Sequence, residues 1–200
     1  GNTSVSLEVR PNNSAPEAVD DENFTTYEDV TLEIVAPGVL GNDLDADNDD
    51  LSAVLVNGPA HGVLTLNSDG SFSYSPEVGY RGEDFFTYTA FDGTDHSDVA
   101  TVTINVIQPP TLAIVAEDAT LPEGHSGHTS FTFTVTRTGD TSGISTASYT
   151  VSGSGADAAD FGGTMASGSV TFAAGETSQA ITITVTGDTV VENDEDFTVT

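Results

Sequence analysis

Five aspartates stand within eight positions in the stretch GNDLDADNDDL, residues 41–51: Asp43, Asp45, Asp47, Asp49 and Asp50. No basic side chain lies among them. Ionised carboxylates only accept hydrogen bonds, and two of them about 4 Å apart repel by roughly 4 kcal/mol at an effective dielectric near 20. Two arrangements relieve that repulsion: a turn opened to solvent, or a hard cation that gathers about six to eight oxygens. In an extended backbone residues i, i+2 and i+4 face the same way. That spacing points Asp43, Asp45 and Asp47 to one side, with Asp49 next in the series and Asn42 and Asn48 able to add amide oxygens. The chemistry read from the stretch is calcium binding. An EF-hand loop is ruled out, because that motif needs Gly at its sixth position and Glu at its twelfth. Counting from Asp43 gives Asn48 and Val54, and counting from Asp45 gives Asp50 and Val56.

Further carboxylates could join this loop at one end of a domain: the pairs Asp20–Asp21 and Glu28–Asp29, and Asp92 in AFDG. A second acidic group lies far along the chain in GDTVVENDEDF, residues 187–197, with Asp188, Glu192, Asp194 and Glu195. GADAADF, residues 155–161, adds Asp157 and Asp160, and LPEG adds Glu123. These three segments sit at the ends of strand-like runs, so they suit a shared cation site at one pole of a second domain.

The composition fits that chemistry and excludes others. Thirty-two acidic residues face three basic ones, Arg10, Arg81 and Arg137, for a net charge of −29, and there is no lysine. Nothing here could neutralise the phosphates of a nucleic acid or the headgroups of an anionic membrane. The chain has no cysteine, so neither disulfides nor thiolate chemistry enter. No apolar run is long enough to insert into a bilayer. The motifs GxSxG and HExxH and a phosphate-cradling glycine loop are absent. His61, His96, His125 and His128 fall in turn-like segments with no nucleophile at motif spacing, so an enzyme is not expected.

The elements that must position these carboxylates are strands. Period-2 alternation recurs in ATVTINV (100–106), SFTFTVTRT (130–138) and AITITVT (180–186). Shorter runs of the same kind are TLEIVA (31–36), SAVLVN (52–57), GVLTLN (62–67), SFSYS (71–75), DFFTYTAF (84–91), ISTASYTVS (144–152) and GSVTFA (168–173). Turn signals separate them, and NSDG at 67–70 reads as a hairpin. The fold class is all-β: two tandem immunoglobulin-like, Greek-key β-sandwiches. Pro109 and Pro110 cannot both join a sheet ladder, and they form the linker. The division is 15–108 for the first sandwich and 109–200 for the second, which ends in EDFTVT before a closing strand. Residues 1–14 carry a strand-like SVSLEV, read as the end of a preceding domain or as a donor strand for another copy. The whole reads as a piece of a longer tandem array.

Residues 15–108, through the pieces GNDLDADNDDL, PAHGVLTLNSDGSFSYSP and GEDFFTYTAFDG, resemble the bacterial cadherin-like tandem repeats of large surface adhesins. The second half resembles a Calx-β domain, through EGHSGHTSFTFTVTRTGD, ADFGG and GSVTFAAGETSQAITITVTGDTVVENDEDF. The second resemblance implies calcium ligands at Glu123, Asp188, Glu192 and Glu195. The chain departs from the calcium-binding members at Ser152-Gly153 and Gly187-Asp188, which implies one weaker site in place of a multi-ion cluster. Together these readings lead to a non-catalytic, calcium-stabilised spacer of an extracellular bacterial adhesin or surface fibre. Its partners would be neighbouring domains of the same array or copies of itself, with a glycan or a cell-surface protein as a further partner. The alternatives are a filament subunit assembling by strand complementation and a carbohydrate- or protein-binding module. The usual sign of such a module is an exposed aromatic residue, and only Phe24, Tyr27 and Tyr80 stand outside the core alternation.

Overall fold

The computed structural model describes residues 13–117, 120–122, 124–189 and 194–200. SVSLEV therefore lies outside the described residues, as do Glu123 and Glu192. The chain divides into two compact units, one ending at Gln108 and one beginning at Pro109. Each packs two sheets around its own core, so the all-β sandwich class read from the sequence stands.

In unit 1 the larger sheet has the order β1-β7-β6-β3, from Asp21–Tyr27, Ala100–Ile107, Gly82–Phe91 and Ser52–Asn57. The smaller has the order β2-β5-β4, from Leu32–Ile34, Phe72–Pro76 and Gly62–Leu66. Alternation puts Phe86 and Tyr88 of β6, and Val102, Ile104 and Val106 of β7, on the face that meets Phe72 and Tyr74 of β5. Phe72 takes edge-on contacts from Phe24 and Phe86 at 5.1 and 5.3 Å. β1 pairs in parallel with β7 and was not legible as a strand. A bulge between Asp21 and Phe24 breaks the alternation there, with Asn23 at φ 85°. The expected NSDG hairpin joins β4 to β5.

A one-turn 3₁₀ helix, Gly38–Leu40, leads into the acidic loop. It is pinned to the hairpin by a bond from Val39 N–H to Gly70 O of 3.0 Å. Gly38 and Gly70 both have positive φ, and a Cβ on either would collide with the backbone facing it. Only glycine allows that approach.

In unit 2 one sheet has the order β12-β9-β8, from Ser178–Gly187, Gly127–Thr138 and Thr111–Ala116. The other has the order β11-β10-β13, from Ser167–Phe172, Ser145–Ser154 and Asp196–Val199. Val135, Val151, Val170, Phe172, Ile181, Ile183 and Val199 fill the space between them. β8 is a further strand absent from the sequence reading. The opposite faces of β10 and β11 carry hydroxyls, with Thr146 opposite Thr171 and Ser148 opposite Ser169.

Candidate cation sites

The first acidic stretch does not run as an extended strand. Its backbone folds back on itself, because Asp45 Oδ1 accepts the N–H groups of Asp47 and Asp49 at 2.8 and 3.0 Å. This is the local side-chain capping that aspartate offers in turns. Leu44 exchanges both backbone bonds with Glu17, and Asn48 sits at φ 60°. The expected convergence of Asp43, Asp45 and Asp47 is therefore corrected, and the three carboxylates go to three places.

Asp43 turns toward the sandwich. Its Oδ1 accepts Val19 N–H at 2.8 Å, and its two oxygens lie 3.0 and 2.9 Å from the Tyr88 hydroxyl. The same hydroxyl lies 2.6 Å from Val39 O, 3.4 Å from Asp21 Oδ2 and 3.5 Å from Val19 O. A phenol carries one proton. Several acceptor oxygens thus crowd a single donor, and among the described residues no basic side chain meets them. Burial first, and then the charge of Asp43, push the Asp21 carboxyl up to about 7. Burial likewise raises Asp43. The Tyr88 phenol is pushed up by burial and by the two carboxylates.

Asp47 takes Ser14 N–H on Oδ2 at 2.8 Å. The adjacent Asn13 donates to Asp92 Oδ2 at 2.9 Å and to Asp95 Oδ2 at 3.1 Å. Asp92 Oδ1 caps its own turn through Thr94 and Asp95 N–H, and those bonds, the Asp95 one foremost, hold its carboxyl below the usual range. Residues 13–14 thereby bridge the acidic loop and the AFDG turn. Asp45 Oδ2 is buried and has no partner among the described residues. Asp49 is exposed.

Glu28 belongs elsewhere. Its two oxygens each lie 2.8 Å from the Arg81 guanidinium, and Arg81 also donates to Gln108 at 3.2 Å. Asp21 pairs with Val102 and Tyr27 with Ile107, so β1 carries Asp21 and Glu28 to opposite ends of the sheet, about 20 Å apart at strand rise. A carboxylate already neutralised by arginine has no need of a cation, and Glu28 is removed from the candidate ligands.

In unit 2 the structure brings segment 155–161 to the end of β12 and the start of β13. Asp160 O accepts Thr186 N–H at 2.7 Å, and its Oδ2 accepts Asp157 N–H at 2.6 Å. Gly155 bridges to Asp196 and lies against the Glu195 side chain. Asp188 follows the end of β12, and Asp194 is exposed just before β13. Among the described residues of either unit, no three carboxylate or imidazole groups converge on one point. What unit 1 offers a cation is two carboxylates with carbonyl and phenol oxygens beside them. That all-oxygen donor set fits a hard divalent ion.

Two buried ionic groups escaped the sequence reading. Asp84, 1 % exposed, accepts Ala60, His61 and Phe85 N–H at 2.9, 2.9 and 3.0 Å and the Tyr74 hydroxyl at 2.8 Å. Burial pushes its carboxyl up, but these bonds outweigh it and hold the group below its ordinary value. Arg137, 2 % exposed, donates to the carbonyls of Gly143, Thr141 and Ala173 and to Ser145 Oγ at 2.9–3.0 Å, with its guanidinium over Phe172. Of the aromatics singled out by sequence, Phe24 packs on Phe72 and Tyr80 stacks on His61 at 4.2 Å. The core alternation expected of DFFTYTAF does not hold for Phe85, which stands 58 % exposed on the outer face of β6.

Comparison with known proteins gives two family matches and a set of distant structural ones. A family model described as a bacterial cadherin-like domain matches residues 13–108. A model of the Calx-beta domain matches residues 108–200. No curated protein matches the chain. Among solved structures, an endo-fucoidan hydrolase from glycoside hydrolase family 107 is 17 % identical, with 92 % of this chain and 30 % of that one covered at a TM-score of 0.33. A variant of that hydrolase is 15 % identical, with 96 % and 29 % covered at a TM-score of 0.36. The Yersinia pseudotuberculosis adhesin InvE is 12 % identical, with 92 % and 57 % covered at a TM-score of 0.25. The chain thus spans less than a third of the two hydrolase chains and just over half of the adhesin. Similarity this low supports no conclusion about activity.

Proposed function

Because the chain consists of a bacterial cadherin-like domain followed by a Calx-β domain, we propose that it is a non-catalytic structural module of an extracellular bacterial adhesin or surface fibre, stiffened by calcium. Both domain types usually belong to extracellular proteins, and among the described residues no helix is long and apolar enough to cross a membrane.

One observation supports the calcium part above the others. The carboxylates of Asp21 and Asp43 and the carbonyls of Val19 and Val39 surround the single proton of Tyr88, with no basic group among them. Asp21 and Asp43 are the residues that would hold calcium in the first domain. Bound there, the ion supplies the positive charge that the site lacks. The protein's own part is to fix the oxygens: Tyr88 from β6, Val39 from the 3₁₀ helix pinned to Gly70, and Asp21 from the start of β1. A second position is the Asp45–Asp47 turn, which carries the orphaned Asp45 Oδ2 and is held through Asp47 to the bridge of residues 13–14. A cation at this pole would tie the entering chain to two loops of the sandwich and resist bending there, which is the action of a spacer.

Extracellular calcium near the millimolar range suits module sites of this kind. The experiment is calorimetric titration of the chain with calcium, paired with melting in excess chelator. Heat of binding with a melting temperature that falls on chelation supports the reading. Identical melting curves with calcium and with chelator sink it.

A further inference from the structure

The outer face of the β1-β7-β6 sheet in the first domain has no part in the cation sites, yet it is built unlike a plain solvated surface. The bulge in β1 places two residues, Glu22 and Asn23, opposite Thr103 of β7, which in turn pairs with Phe85 of β6. In the next row Thr25 pairs with Asn105, which pairs with Glu83. The β1 and β7 residues of both rows, with Glu83 and Phe24, line a concavity of about 490 Å³, and the exposed Phe85 is the cross-strand neighbour of its lining residue Thr103. Bulges re-aim side chains and recur beside functional sites. A non-glycine residue at φ 85°, as Asn23 is, is held there by its surroundings. Among the described residues, the side chains of Asn23, Asn105, Glu22 and Glu83 make no hydrogen bond within the protein. Their donors and acceptors therefore face outward.

An aromatic ring beside amides, carboxylates and threonine hydroxyls is the chemistry that receives a sugar. The ring packs against the C–H face of a pyranose, and amides and carboxylates take its hydroxyls as donors and acceptors. Charge narrows the class. Glu22 and Glu83 flank the concavity on a chain of net charge −29, so sulfated and uronic-acid glycans are repelled. We infer that this face binds a neutral oligosaccharide, with Phe85 as the stacking platform and Asn23, Asn105 and Glu83 as hydroxyl-binding groups. The inference goes beyond the spacer reading and does not depend on calcium.

The test uses the whole chain in excess chelator, so that its outcome stays separate from that of the calcium reading. An array of neutral, sulfated and uronic-acid oligosaccharides identifies the class bound, and titration with the strongest neutral binder, followed by NMR, gives the affinity. Neutral oligosaccharides bind and the anionic ones do not. Phe85→Ala weakens binding by about tenfold, the scale of one aromatic contact, while Phe85→Trp keeps it. Asn105→Ala also weakens binding. The melting temperature of Phe85→Ala stays that of the parent, because the ring is exposed. Failure of every neutral oligosaccharide to bind, a preference for anionic ones, or unchanged affinity in both Phe85→Ala and Asn105→Ala overturns the proposal.

Discussion

The Tyr88 hydroxyl lies 2.9 Å from Asp43 Oδ2, across 45 residues of chain, and this contact joins the acidic loop to a buried core strand. Tyr88 itself is fully buried. Whatever changes the charge around its oxygen is therefore felt by the packing of the first sandwich.

Calcium should raise the stability of the first domain. An ion that binds only the folded state contributes RT ln(1 + [L]/Kd), about 2.7 kcal/mol at a hundredfold excess over Kd. In a domain of about this size each kcal/mol moves the melting temperature by roughly 4–8 °C. Differential scanning calorimetry with calcium and with chelator reads the difference directly.

Without calcium, stability should fall as pH rises. The Asp21 carboxyl sits at about 7 in the folded state against an ordinary 3.8, so between those values the folded chain holds a proton that the unfolded chain has released. Stability therefore decreases with pH across that window, the reverse of a salt-bridged aspartate. In chelator the melting temperature should rise on going from pH about 8 to about 5.5. Saturating calcium should remove that rise, since the ion takes the place of the proton.

Asp21→Asn separates the two effects. The amide cannot ionise, so in chelator at neutral pH the variant should melt above the parent, and its melting temperature should no longer respond to pH in this window. It should also lose most of the calcium response. A variant that melts below the parent in chelator, with its calcium response intact, would show that Asp21 serves packing alone.

Asp84 is a structural carboxylate, and the loop carrying Ala60 and His61 hangs from it. Asp84→Ala leaves three backbone N–H groups and the Tyr74 hydroxyl without their partner, at a cost of about 3 kcal/mol or more. Tyr74→Phe removes one bond of the set and should cost about 1 kcal/mol. Urea unfolding of both variants measures the ratio.

Arg137→Met tests the core of the second domain. The guanidinium bridges Gly143, Thr141, Ser145 and Ala173, so methionine removes four bonds and leaves Gly143 O without its donor, while Thr141 O and Ala173 O keep the N–H groups of Gly175 and Glu176. A loss of roughly 3 kcal/mol is expected, confined to the second domain's transition. Arg137→Lys restores only part of it, because one ammonium cannot span the positions a planar fork reaches.

Legibility followed periodicity. β7 and β12 alternate without interruption, and the sequence marks them to within two residues at either end. β1 does not alternate, because its bulge inserts an extra position between Asp21 and Phe24. Its parallel pairing with β7 is likewise a tertiary fact that no local pattern carries. The acidic loop was visible as chemistry and misjudged as geometry. Asp45 caps its own turn, and that rotates Asp43 toward Tyr88 and Asp47 toward Ser14. Glu28 looked like one more acid at a strand end, and only the register of β1 shows that it ends at the other pole beside Arg81. Asp84 and Arg137 stand in phase with the inward residues of their runs, but a charge at such a position is not assigned to the core until its partners are known.

The placement of the three arginines has a last consequence, which concerns digestion. Trypsin-like proteases cut after lysine or arginine in accessible, extended chain, and this chain has no lysine. Arg10 precedes Pro11, a bond such enzymes cleave poorly. Arg137 is buried near the end of β9. Among the described residues only the bond after Arg81 is presented at the surface, and there the side chain is clamped by Glu28 and the next residue begins β6. A module exposed to extracellular proteases would thus offer that whole class of enzyme a single guarded site.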